Sequence, residues 1–141
     1  MLKKVFQSPL FNALLILSFG LILLGEHFKN EVPSWLNIDP FVLIIPLFLL
    51  MGLIPIHNRK NPNDRIKPTL MPMEFKEEDE GLKWITFQAT RKVYIFFASS
   101  MPFAIASVAY LHHIPYYPLL LLIGLGVIQY LIYWYEIRKY R

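Results

Sequence analysis

Apolar residues in this chain come in long unbroken runs, not in the spaced pattern of a water-soluble domain. Four stretches hold no Asp, Glu, Lys or Arg: Val5–Gly25, Pro40–Ile56, Val93–Leu111 and Ile114–Tyr135. A hydrocarbon core of about 30 Å needs about 20 apolar residues as helix, at about 1.5 Å of rise each. Three runs reach or nearly reach that length; the shorter second is extended at its outer end by Trp35, Leu36 and Ile38. The pattern predicts an all-α fold, a four-helix transmembrane bundle of two helical hairpins. Spans are expected at about 8–26, 38–56, 92–111 and 114–135 within a single integral membrane domain covering 1–141.

Local signals fit these spans. Ser8-Pro9 and Asp39-Pro40 each pair an N-cap residue with a proline at the first helical position, where its missing N–H costs nothing. Pro46 lies mid-span in the second helix and predicts a kink around Val42–Pro46. Pro102 in the third frees the carbonyl of Ala98, with Ser99 and Ser100 beside the break. The fourth opens around Pro115 and Pro118. Tyr116 and Tyr117 mark its outer interface, and Tyr130, Tyr133, Trp134 and Tyr135, followed by Arg138-Lys139, its inner one. The opening Met1-Leu2-Lys3-Lys4 is like that of a signal peptide. The apolar run, however, continues to Gly25, and Leu23-Leu24-Gly25-Glu26 has no small-x-small site, so an uncleaved first helix is expected.

Residues 57–91 are the one sizeable polar segment, and read as a cytoplasmic loop. Its first part, to Met73, is basic and rich in Pro and Asn, which predicts extended chain. Glu74 to Glu80 is acidic. From Gly81 onward Leu82, Ile85 and Ala89 recur at helical spacing, with Trp84 and Phe87 on adjoining faces. That short amphipathic helix either lies along the inner leaflet or extends the third span into the cytoplasm.

Charge then sets the orientation. The net charge of +4 is compatible with nucleic-acid binding, but its distribution argues against it. With four crossings, the N-terminus, the 57–91 loop and the C-terminal tail share one side. That side carries every Lys and Arg except Lys29, 13 of the 14. The positive-inside bias makes it the cytoplasm and the bilayer a plasma membrane. The absence of cysteine excludes disulfides and acylation of a thiol within these residues.

Candidate chemistry is sparse. No span contains an ionisable acid or base of the kind that marks proton or ion pathways. Asn12, Gln129 and the serine hydroxyls suit interhelical hydrogen bonds, and Ser100, Ala104 and Ser107 form a small-residue stripe suited to close helix packing. Pro46, Pro102 and Gln129 are what a small oligomeric transporter or channel would be built around. His27, His112 and His113 fall on the outer side with Glu26, Glu31 and Asp39. They lack ligand-type helical spacing, so no metal is expected. No cofactor motif, nucleophile elbow or embedded carboxylate pair occurs, so no catalytic residue is assigned and an enzyme is not expected. The acidic run Glu77-Glu78-Asp79-Glu80 with Trp84 is the candidate docking segment for a membrane-protein partner, self-association being the other route.

The stretch Glu77-Glu78-Asp79-Glu80-Gly81-Leu82-Lys83-Trp84, followed by Ala89-Thr90-Arg91-Lys92-Val93-Tyr94, resembles a known pattern. It is similar to the acidic segment before the third span in small uncharacterised four-span membrane proteins of Gram-positive bacteria. Gly81 and Leu82 stand where an Arg-Glu would follow in that pattern. The resemblance implies a plasma-membrane protein of unassigned role, some relatives looking like accessory or immunity-type proteins, and no catalytic residue to carry over.

Overall fold

The computed structural model describes residues 8–35, 38–62, 66 and 80–140. Four helices account for most of them: α1 (Pro9–His27), α2 (Pro40–Lys60), α3 (Glu80–Tyr110) and α4 (Tyr117–Tyr140). No strand occurs among the described residues. All four helices are long and apolar enough to cross a membrane.

The proline signatures begin helices where expected. Ser8 caps α1 through its carbonyl, which accepts the N–H of Phe11 at 3.0 Å, while its side chain makes no capping bond. Asp39 caps α2 with its carboxylate, which accepts the Phe41 N–H at 2.9 Å. α2 continues as helix through Pro46 and Pro55 and ends four residues beyond the expected span, at Lys60. There the Asn61 N–H donates to the His57 carbonyl at 2.9 Å.

Of the two readings of residues 82–91, a helix along the leaflet and an extension of the third helix, the second is what forms: α3 is one helix of 31 residues from Glu80 to Tyr110. The reason is local: no proline interrupts residues 80–101, and each added residue continues an existing hydrogen-bond ladder without a new nucleus. Pro102 lies within the helix without ending it.

α4 lies between α1 and α3 and is the packing centre. Among the described residues the α1–α4 interface is the most extensive, α3–α4 is next, and α2 leans mainly on α1 with a far smaller contact. α3 and α4 pack against each other along much of their length, while α1 and α2 touch only slightly. The α3–α4 corner is tight: the Ile114 N–H donates to Leu111 at 3.0 Å and the Tyr117 N–H to Ile114 at 3.1 Å.

Two glycines set the α1–α4 distance. Gly20 of α1 faces Ile123 of α4 so closely that a Cβ there would overlap Cγ1 and Cδ1 of the isoleucine. Gly126 of α4 faces Ile16 of α1, where a Cβ would lie 3.0 Å from Cγ2. Each helix thus offers a glycine to the other's isoleucine, a small-residue device that lets backbones approach where lipid supplies no hydrophobic drive. Towards the α1 C-terminus the contact widens into a cluster of Leu24, Val32 and Ile123, flanked by Leu21, Phe28 and Leu119.

Outside these interfaces, large apolar side chains point away from the protein. Phe41, Phe48, Phe103 and Ile105 are each about 70% exposed or more. A water-soluble monomer rarely presents so continuous an apolar surface.

Candidate functional site

The candidate docking segment falls at the polar end of the α3–α4 pair. Glu77, Glu78 and Asp79 lie outside the described residues. Glu80 opens α3 and is exposed. Its acidic side chain in the first turn complements the partial positive charge of the helix start. Trp84, one turn on, is about half exposed. Its ring meets Tyr140 of α4 edge-on, with centroids 5.4 Å apart and planes at 80°. This contact ties the start of α3 to the end of α4.

Behind Trp84, Thr86 and Ala89 are buried. Thr90 returns its hydroxyl to the Thr86 carbonyl at 2.8 Å, satisfying itself within the helix. Phe87 is exposed on the other side, as is Tyr94. On α4, the Arg138 guanidinium sits over the Trp134 ring at 5.2 Å and Lys139 over Tyr140 at 5.8 Å. Cations stacked on aromatic rings keep their charge in a fixed place. Tyr140 and Phe87 are members of this surface that the sequence did not single out for docking; for Phe87 the signal available was its spacing from Trp84 along α3, whereas Tyr140, on α4, is brought there by the fold.

The packing candidates are distributed differently. Ser100, Ala104 and Ser107 are half-buried on α3. Ala104 lines a groove of about 430 Å³ between α3 and α4, with Phe97, Met101 and Ile105 on one wall and Leu121 and Leu125 on the other. The serine hydroxyls turn inward on their own helix. Ser107 donates to Ala104 at 2.8 Å, and Ser99 to Ile95 at 2.8 Å, so neither reaches a neighbouring helix or the freed Ala98 carbonyl.

Pro46, Pro102 and Gln129 are not brought together. Pro46 is exposed on α2, which leans on α1; Pro102 is exposed on α3; Gln129 is half-buried on α4. The α3–α4 groove offers side chains that can pack against hydrocarbon and none that can transfer a proton. His112 and His113 stack edge-on at the α3–α4 corner, and His112 Nδ1 is 3.1 Å from the Ala109 carbonyl. Among the described residues no three His, Asp or Glu side chains are grouped to hold a metal ion.

At the C-terminal end of α2, Asn58 makes a two-way contact with the following chain. Its amide donates to the Ile66 carbonyl at 2.9 Å and accepts the Ile66 N–H at 2.7 Å. Ile66 is buried there.

The chain is similar to the uncharacterised lipoprotein YgaO of Bacillus subtilis strain 168. The two are 29% identical over 108 residues, which cover 74% of this chain and 66% of that protein. The chain therefore spans just under two thirds of the length of the curated relative it matches. No protein-family model and no solved structure matches it. The Bacillus relative, itself uncharacterised, supports an unknown-function family in Gram-positive bacteria.

Proposed function

We propose that the chain is a multi-pass plasma-membrane protein with four spans, and that its termini and residues 57–91 face the cytoplasm. It acts as an accessory or interaction protein through a membrane-protein partner or its own copies, and not as an enzyme. The observation that carries this reading is the continuity of α3. The helix runs past its charge-free stretch and holds Glu80 and Trp84 on a rigid extension, braced by Tyr140. Glu80, the last residue of the acidic run, is thereby held at one place at the start of the helix.

The apolar surfaces of all four helices support insertion, and the lipoprotein description of the Bacillus relative agrees with a place at the membrane. The 13-to-1 division of basic residues supports the orientation. The apolar groove between α3 and α4 suits packing or lipid better than chemistry. The rival reading, a small oligomeric transporter or channel, gains nothing from three polar and proline positions on three separate helices.

The test is charge reversal of Glu77, Glu78, Asp79 and Glu80 to Lys, with crosslinking from position 84 in cells. Loss of the crosslinked partner with membrane insertion retained is the expected result. Unchanged crosslinking would count against the docking role, and flux in liposomes holding this chain alone would replace it with transport.

A further inference from the structure

On the extension of α3, Trp84, Phe87, Arg91 and Tyr94 recur at i, i+3, i+7 and i+10 and are all exposed. At 3.6 residues per turn they fall within an arc of about 80°, on the side away from buried Thr86 and Ala89. Lys83 and Lys92 flank this stripe and are exposed. The Trp84–Tyr140 contact brings Arg138 and Lys139 to the same end of the pair. Against these five cations, the described residues of the two helix ends set two carboxylates, Glu80 and Glu136.

Length decides the depth at which the stripe lies. The 31 residues of α3 make about 46 Å of helix, far beyond a core of ~30 Å but close to the ~40–45 Å of core plus both headgroup layers. Exposed Trp and Tyr among Lys and Arg is the composition of a surface seated at headgroup depth. A cationic surface at that depth complements anionic phosphate esters.

We infer that the Trp84–Phe87–Arg91–Tyr94 face, with Lys83, Lys92, Arg138 and Lys139 around it, is a seat for anionic phospholipid headgroups. The chain gathers anionic lipid about the root of its docking segment. Trp84 then borders both the lipid seat and the partner that the acidic run before it docks. The inference rests on the membrane-spanning reading above and is independent of the partner.

The test uses the full chain with Trp35→Phe and Trp134→Phe, leaving Trp84 as sole fluorophore, in phosphatidylcholine vesicles containing phosphatidylglycerol. One lipid or the other is brominated high on its acyl chains. Quenching should report phosphatidylglycerol around Trp84 at about five-fold its mole fraction, the equivalent of ~1 kcal/mol for one cation near an anionic leaflet. Salt at high concentration, or Lys83→Gln with Arg91→Gln and Lys92→Gln, should bring that ratio to about one; Arg91→Lys should not. Equal quenching by both lipids at low salt overturns the inference. Quenching by neither overturns it in favour of a protein or water at this face. Phe103→Trp with Trp84→Phe in the same background, exposed mid-span, separates the two levels. If it too escapes quenching by deeply brominated lipid, the spanning reading itself fails.

Discussion

Gly20 of α1 and Ile123 of α4 are packed so that the isoleucine side chain occupies the space a Cβ at position 20 would need. The contact sits within the largest interhelical interface of the chain, so the α1–α4 separation depends on it. Gly20→Ala should destabilise the fold by about 1–3 kcal/mol, the usual penalty for overpacking. Ile123→Ala in the same chain should recover part of that loss, because the branched side chain is what the new methyl meets. Gly52 and Gly124, with open space where a Cβ would go, are the controls. Alanine there should leave stability unchanged or raise it by up to about 1 kcal/mol. Unfolding in mixed detergent and denaturant would rank the variants.

Trp84 and Tyr140 brace the far end of the α3–α4 pair. A double-mutant cycle with alanine at both positions should give a coupling of about 0.5–1.5 kcal/mol, as edge-to-face aromatic pairs do. Because the sequence has no cysteine, single thiols can be introduced for spin labels without background. Labels at Lys83 and Lys139 should report a broader distance distribution in Tyr140→Ala than in the unmodified chain. An unchanged distribution would mean that the ends are held by something else.

The Asn58 amide replaces a backbone partner for Ile66, giving and taking one hydrogen bond. Asn58→Leu should remove both and leave the Ile66 groups to water, at a cost of about 1–3 kcal/mol locally. Asn58→Asp keeps the acceptor and loses the donor, so its effect should be intermediate. Hydrogen exchange at the Ile66 amide should quicken in that order while the amides of α1 and α4 stay protected.

Much of the helix plan was legible because proline and capping residues act locally. Ser8-Pro9 and Asp39-Pro40 begin helices for reasons contained in two residues. The α3 extension was open to two readings, since Leu82, Ile85 and Ala89 give the same spacing on a surface helix and on a prolonged span. The absence of a proline before Pro102 was the deciding detail. Which helices touch was not legible. Each span is apolar nearly all round, so no stripe marks the side that meets a neighbour. The stripe that was visible, Ser100-Ala104-Ser107, borders the α3–α4 groove, while Gly20 and Gly126, whose partners lie a hundred residues away in sequence, set the tightest approach. For the docking segment, Glu80 and Trp84 were found from charge and spacing, whereas Tyr140 needed the fold to bring it to Trp84.

The central claim is four crossings with one cytoplasmic side, and single cysteines test it most directly. Thiols placed at Ser34 and His113, and at Asn63 and Tyr140, would be exposed to a membrane-impermeant maleimide on intact cells. The account predicts labelling of Ser34 and His113 from outside, and of Asn63 and Tyr140 only after permeabilisation. Labelling of position 140 on intact cells would contradict the account, overturning the span count if Ser34 and His113 are labelled too and the orientation if they are not.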